Sequence, residues 1–210
     1  MGYTTRIGAH NANSQTGGSE SSVRSLSDRL LSSPIIAAVN TMDMFEPALK
    51  APPKSLYLLT GNPLTLPEIV KRVRDAGKGC LVNVDFLSGL NRDRDAIEYL
   101  AVHKVEGIVS TRLDVLKAAQ TLGLFTVQRT FAIDSAAVMA SVKLLTQFTP
   151  DAIEVLPALV APKVAKRIHA VQPGMKIIGG GLIETVREIE QLLDAGIHSV
   201  TVSNERLWLI

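Results

Sequence analysis

From Pro34 onward the chain alternates between short apolar runs rich in β-branched residues and longer segments in which apolar residues recur every three to four positions. The runs are Ile35–Val39, Leu56–Leu59, Cys80–Val84, Gly107–Ser110, Phe125–Gln128, Ala152–Leu156, Lys176–Ile178 and Ser199–Val202. Most lack a polar alternate, as do strands buried on both faces of a parallel sheet. The intervening segments place Val186, Ile189, Leu192 and Leu193, or Val138, Val142 and Leu145, on one face of a helix. Thr185 and Glu188 have capping-box spacing, and so do Thr65 and Glu68, with Pro67 in the first turn where its missing N–H does no harm. Eight strand–helix units predict an α/β fold, a minimal (β/α)8 TIM-like barrel over residues 34–210, with an open α/β sheet as the alternative. Only Glu205 to Ile210 follow the last run, so the last helix is expected to be short or missing. The side it leaves bare would be covered by a short helix over Val23–Leu31 or by another subunit.

Residues 1–33 read as a disordered tail that carries this short helix. Met1 to about Ser22 is rich in Gly, Ser, Asn and Thr and buries too little apolar surface to offset the entropy of ordering. Val23–Leu31 sets Leu26, Leu30 and Leu31 on one side, suited to docking under the domain. The 210 residues carry a formal net charge of +2, so an RNA contact must come from a local patch rather than an overall basic field. Cys80 lies inside an apolar run, the setting of a buried thiol in a reducing compartment. His10, His103, His169 and His198 are scattered without the spacing of a zinc site, and no metal or cofactor is expected. No apolar run approaches the ~18 residues of a membrane span, and the first residues lack the apolar core of a secretory signal. The chain is read as cytoplasmic.

In such a barrel, chemistry resides at the C-terminal ends of the strands. Those ends are Asn40-Thr41, Thr60 to Asn62, Asp85, Ser110-Thr111-Arg112, Gln128-Arg129, Glu154, Gly179-Gly180-Gly181 and Ser203-Asn204, polar where the strands before them are apolar. Three successive glycines leave backbone N–H groups uncovered, and with Ser203-Asn204 they suggest a phosphate-sized anion site on the last two strands. Arg112 and Arg129 either grip an anionic ligand or pair internally with Asp85 and Glu154. Asp85 suits a general base, a metal ligand, a hydroxyl acceptor or a loop cap. Glu154, flanked by Ile153 and Val155, needs a partner, either ligand hydroxyls or Arg129. Two basic helix clusters, Lys71, Arg72, Arg74 and Lys78, and Lys163, Lys166, Arg167 and His169, lack interleaved aromatics and have the pattern of solvated faces.

The segments Val84-Asp85-Phe86-Leu87-Ser88-Gly89, Ile108-Val109-Ser110-Thr111-Arg112, Val127-Gln128-Arg129, Ile153-Glu154-Val155-Leu156-Pro157, Gly180-Gly181-Leu182-Ile183 and Thr201-Val202-Ser203-Asn204 stand in this order. Together they resemble the glycerol-3-phosphate-responsive antiterminator family, regulators of bacterial glycerol uptake operons. The resemblance runs from about Pro34 to Trp208 and includes a terminal Leu-Trp pair, here Leu207-Trp208. It implies a barrel-like fold that binds glycerol 3-phosphate and acts on a leader messenger RNA to prevent termination upstream of glycerol-utilisation genes. By position, Gly180, Gly181, Ser203 and Asn204 would hold the phosphate, and Asp85, Arg112, Arg129 and Glu154 would line the glycerol end. The chain departs from the family pattern at Asn40, where a basic residue is common, and at Asn83, where a histidine is. Both departures bear on ligand affinity or RNA contact.

Three functions follow for comparison. The first is a non-enzymatic, ligand-gated RNA-binding regulator, its RNA surface doubled if the chain forms a homo-oligomer. The second is a phosphosugar isomerase or lyase on a TIM barrel with Asp85 and Glu154 as acid and base, against which no lysine or histidine ends a strand. The third is a phosphometabolite sensor that acts only through a protein partner.

Overall fold

The computed structural model describes residues 26–210. The expectation of a disordered Met1–Ser22, and the first residues of the Val23–Leu31 helix, lie outside the described residues. A helical segment over residues 26–30 (α1) leads into β1 (Ile35–Val39), α2 (Phe45–Lys50), β2 (Ser55–Leu58), α3 (Leu66–Asp75), β3 (Gly79–Asn83) and α4 (Arg94–Val102). Then come β4 (Gly107–Ser110), α5 (Leu113–Thr121), β5 (Phe125–Phe131), α6 (Ser135–Leu144), β6 (Ala152–Leu156) and α7 (Ala161–Val171). The chain finishes with β7 (Lys176–Gly180), α8 (Val186–Asp194), β8 (Ser199–Val202) and a 3-10 turn over Glu205–Leu209. The strands pair in parallel in sequence order, and β8 pairs back onto β1, so the sheet is a closed barrel rather than an open one.

Closure explains the near-continuous apolar runs. Alternate strand residues fall into two cores, one inside the barrel (Ile36, Tyr57, Leu81, Val127, Ile178 and neighbours) and one beneath the helices. Polar Gln128, Arg129 and Thr130 disguise the end of β5, which pairs with β6 as far as Phe131 opposite Leu156. Likewise β7 takes in Gly179 and Gly180, opposite Val200 and Thr201.

The helix caps differ from one another. At α8, Thr185 Oγ1 accepts from Glu188 N–H (3.2 Å) while the Glu188 carboxylate accepts from Thr185 N–H (2.9 Å), a complete capping box. At α3 the Thr65–Glu68 spacing makes no such box, because Thr65 is already helical and makes no side-chain cap. Asn62 does the work instead, its Oδ1 accepting from the N–H groups of Leu64 (2.9 Å) and Thr65 (3.1 Å).

Segment α1 plugs the N-terminal end of the barrel rather than covering a flank. Leu30 is fully buried against the interior core, Ser55 Oγ donates to the Leu30 carbonyl (2.8 Å), and Lys176 pairs with Asp28 (3.2 Å). The flank after β8 is closed by the 3-10 turn, which buries Leu207 and Trp208. Burial pushes the Cys80 thiol up, which keeps it protonated and inert. No helix among the described residues is long and apolar enough to cross a membrane.

Candidate functional site

Inward positions recur every second residue, so the apolar layer formed by Ala38, Tyr57, Leu81, Val127, Ala152 and Ile178 predicts which side chains lie above it. One step toward the strand ends come Asn40, Leu59, Asn83, Arg129, Glu154 and Gly180. Here the interior turns polar. Glu154 is its centre: Oε1 accepts from Thr201 Oγ1 (2.7 Å) and Oε2 from Tyr57 Oη (3.1 Å). Tyr57 Oη in turn accepts from Asn83 Nδ2 (2.8 Å) and Arg129 Nη1 (3.3 Å). Arg129 Nε stands 3.6 Å from Glu154 Oε2, an ion pair without a hydrogen bond, and that buried Nε has no acceptor. The guanidinium lies 5.3 Å from the Phe86 ring centroid and 5.4 Å from that of Phe131, within cation–π range of both.

Electrostatics follow from this burial. Loss of solvent pushes the Glu154 carboxyl up, against the pull of Arg129 and of the hydroxyls of Thr201 and Tyr57. The Tyr57 phenol is driven well up, first by burial and then by the charge of Glu154, so it serves as a neutral hydroxyl.

Gly180 belongs to this network. A Cβ there would sit 2.6 Å from Glu154 Oε1 and 2.6 Å from Thr201 Oγ1, two atoms already bonded to each other. Glycine is therefore required by the carboxylate that packs against it. Gly180→Ala is expected to lower stability by about 1–3 kcal/mol, the cost of overpacking, read from urea unfolding. An unchanged midpoint would show that the Glu154–Thr201 pair relaxes freely.

Above the network lies an open cavity of about 180 Å³. Its floor is Tyr57, Arg129, Glu154 and Thr201, and its rim is Asn40, Gly181 to Ile183 and Ser203. Gly181 (φ 77°) and Leu182 (φ 58°) are both left-handed, a strained conformation for leucine of the kind that gathers at functional sites. The N–H groups of Leu182, Ile183 and Ser203 find no acceptor among the described residues. Donors at one end and a carboxylate, guanidinium and phenol at the other suit a small phosphorylated polyol. The volume falls below the ~300–1,000 Å³ of pockets for drug-sized ligands, which favours a ligand of few carbons.

Of the eight residues singled out in the sequence, the structure brings Gly181, Ser203, Arg129 and Glu154 to the cavity, with Gly180 just beneath. It does not bring Asp85, Arg112 or Asn204 there. Asp85 is held by Ser110 Oγ (2.8 Å), Thr111 N–H (2.8 Å) and Thr111 Oγ1 (3.0 Å), the role of a loop cap. Arg112 turns outward and pairs with Asp114 (3.0 Å), and Asn204 caps the final turn through Arg206 N–H (3.1 Å). Arg129 and Glu154 do form the internal pair; Arg112 and Asp85 do not pair in this way. Sequence reasoning missed Tyr57 and Thr201. Their signal was parity: each points inward on its strand and reaches Glu154, Thr201 from β8 and Tyr57 from β2 across the barrel, which is legible only once the barrel is closed.

The match with known proteins covers nearly the whole barrel. Residues 35–208 match the family model described as glycerol-3-phosphate responsive antiterminator. The chain belongs to this family, one of regulatory antiterminators. A solved glycerol uptake operon antiterminator regulatory protein from Listeria monocytogenes is 32% identical with a TM-score of 0.77, over 83% of this chain and 94% of that one. A glycerol uptake operon antiterminator-related protein from Thermotoga maritima is 33% identical with a TM-score of 0.75, over 83% and 96%. YgcP of Escherichia coli K12, an uncharacterized protein, is 32% identical over 86% of this chain and 94% of its own length.

Proposed function

We propose that the protein is a transcription antiterminator that binds glycerol 3-phosphate in the barrel mouth and, so loaded, binds a leader messenger RNA of glycerol-utilisation genes. The observation that carries the reading is one cavity lined both by Leu182, Ile183 and Ser203, whose N–H groups have no acceptor among the described residues, and by the buried Glu154–Arg129 pair. The phosphate takes those N–H groups, bridging the ends of β7 and β8. The glycerol hydroxyls meet Glu154, Arg129 and Asn40; the otherwise unmatched Arg129 Nε gains an acceptor by a small shift of the side chain. We read this site as one for binding rather than turnover. The cavity has no lysine or histidine, and Asp85, the acid–base partner an isomerase or lyase would need for Glu154, is tied into the loop after β4.

Gating needs only that ligand favour the RNA-competent state; a tenfold bias is about 1.4 kcal/mol. Ordering the left-handed Gly181–Leu182 loop against Ser203 is a direct source of that bias. Two measurements test the reading. Glycerol 3-phosphate at about 100 times its dissociation constant is expected to add about 2.7 kcal/mol of stability. Leader RNA titrated with and without the ligand is expected to bind more tightly with it, and equal affinities would end the gating proposal. Ligand stabilisation with no RNA binding would point instead to a sensor acting through a protein partner.

A further inference from the structure

The chain as a whole is nearly neutral, yet one flank is not. Each of α2, α3, α4, α5 and α8 carries at least one Asp or Glu, whereas α6 and α7 carry none. Between Glu154 and Glu184 the sequence has no acidic residue at all, but has Lys163, Lys166 and Arg167. None of these three cations makes an ion pair among the described residues. The basic cluster on α3 differs in this respect: Lys71 pairs with Asp75 (2.9 Å), Arg72 with Glu46 (2.6 Å), and Lys78 donates to the Pro53 carbonyl (2.6 Å). The fold thus pairs Lys71 and Arg72 of the first cluster with carboxylates, leaving Arg74 without an ion pair among the described residues, and pairs none of the three cations on α7.

The unneutralised flank also has a cavity. About 190 Å³ opens between α6 and α7, walled by Ile133, Val138, Val160 and Val164 and edged by Lys163 and Arg167. Asp134, the one acid at its edge, is turned to the Ala137 N–H (2.7 Å) as the cap of α6. Ile133 is 84% exposed and Leu159 52%, so the apolar surface continues past the cavity onto the rim of the barrel. An apolar slot edged by two cations one turn apart on α7 suits an unpaired base held by apolar contact, there being no aromatic in the lining to stack it, with the adjoining phosphates along that helix. A second copy of the chain is a poor occupant, because a two-fold contact would set this cationic face against itself.

The flank is also joined to the ligand cavity. Arg129 and Glu154 are register partners on β5 and β6, and the residues that follow these strands, Ala132 to Ser135 and Val160, line the second cavity. The Ala132 N–H donates to the Leu156 carbonyl (2.7 Å), and Leu156 itself lines the ligand cavity.

We propose that the α6–α7 flank is the surface that meets the leader RNA, with an unpaired base in the cavity and the adjoining phosphates on Lys163, Arg167 and Lys166. The assignment rests on the RNA-binding function proposed above and adds the place of contact. It is tested with the full chain saturated with glycerol 3-phosphate, measuring leader-RNA affinity across a salt series. The double variant Lys163→Ala/Arg167→Ala is expected to bind RNA roughly tenfold more weakly, with the salt slope reduced by about 1.4, since each phosphate contact on a single strand contributes about 0.7. Ile133→Asp, an exposed change that spares the fold, is expected to weaken binding as well. Stabilisation by glycerol 3-phosphate is expected to stay at the wild-type value in both variants. Lys71→Ala/Arg72→Ala on α3 is the control and leaves RNA affinity unchanged. Wild-type affinity in both flank variants would overturn the assignment while leaving the antiterminator reading intact. Loss of ligand stabilisation along with RNA binding would also overturn it, placing the effect in the ligand site. So would a fall in oligomeric mass by light scattering, which would make the flank a subunit contact. A wild-type protein that binds no RNA at any ligand concentration would remove the function itself, and this surface with it.

Discussion

Arg129→Met is expected to lower stability at neutral pH by about 3–5 kcal/mol, the usual cost of removing one partner from a buried ion pair. Only 9% of the Arg129 side chain and 1% of that of Glu154 is exposed, so solvent cannot take over the compensation. Two hydroxyls would remain on the carboxylate, from Thr201 and Tyr57, with no positive charge nearby to offset its burial. The effect should depend on pH in a defined direction. Burial already raises the folded-state pKa of Glu154, and removing Arg129 raises it further. A raised carboxyl favours the folded state fully below its unfolded value, near 4.3, and that contribution is lost as pH rises through the folded value. The variant's deficit is therefore expected to be largest at pH 7 and to shrink as pH falls toward about 4.5. Arg129→Met/Glu154→Gln should recover much of the loss, because no charge is then left buried. Urea unfolding of the three proteins at the two pH values checks this. A small, pH-independent loss in the single variant would mean that Arg129 does not hold the carboxylate in its charged form.

Trp208→Ala is expected to cost about 3–5 kcal/mol, the range for deleting a large buried aromatic. Trp208 is 1% exposed and does what a full helix does in the other units: it packs over the barrel where β8 meets β1. Its indole Nε1 donates to the Val202 carbonyl (2.7 Å), and Val202 precedes Ser203 at the cavity in the barrel mouth. Stability and ligand response should fall together: the urea midpoint drops, and the stabilisation given by glycerol 3-phosphate weakens. Trp208→Phe keeps much of the volume and loses the hydrogen bond, so it isolates a smaller loss of about 1 kcal/mol. An alanine variant with the wild-type midpoint would mean that the terminal turn is an appendage rather than part of the closure.

How much of this was legible beforehand depended on how local the cause was. The capping box of α8 was legible because Thr185 and Glu188 satisfy each other within one turn. The same spacing at Thr65 and Glu68 misled, because Asn62, outside the motif, caps the segment first. A carboxylate between Ile153 and Val155 announced that it needed a partner, and Arg129 proved to be that partner. Arg112 carried an equally suggestive position, but an acid two residues away, Asp114, captures it at the surface. Of the two basic helices, the i,i+4 pair Lys71–Asp75 is local and legible, and α7 has no acid to offer its cations; the pairing of Arg72 with Glu46, and the cavity beside Lys163 and Arg167, are not local.

The glycine run shows the same division within a few residues. Small residues late in a repeated strand–helix chain were enough to mark a place where a ligand can approach the backbone. Gly181, in the left-handed region, fits that meaning. Gly180 has another cause, the oxygen of Glu154 that would meet its Cβ. By itself the sequence determined the elements and the barrel, because hydrophobic periodicity and closely spaced caps act over a turn or a strand. The tertiary structure alone decided which polar side chains share one mouth, that Tyr57 and Thr201 serve Glu154, and that Arg72 finds Glu46. Those outcomes depend on register and on neighbours tens of residues away, where burial makes each remaining donor and acceptor choose a partner.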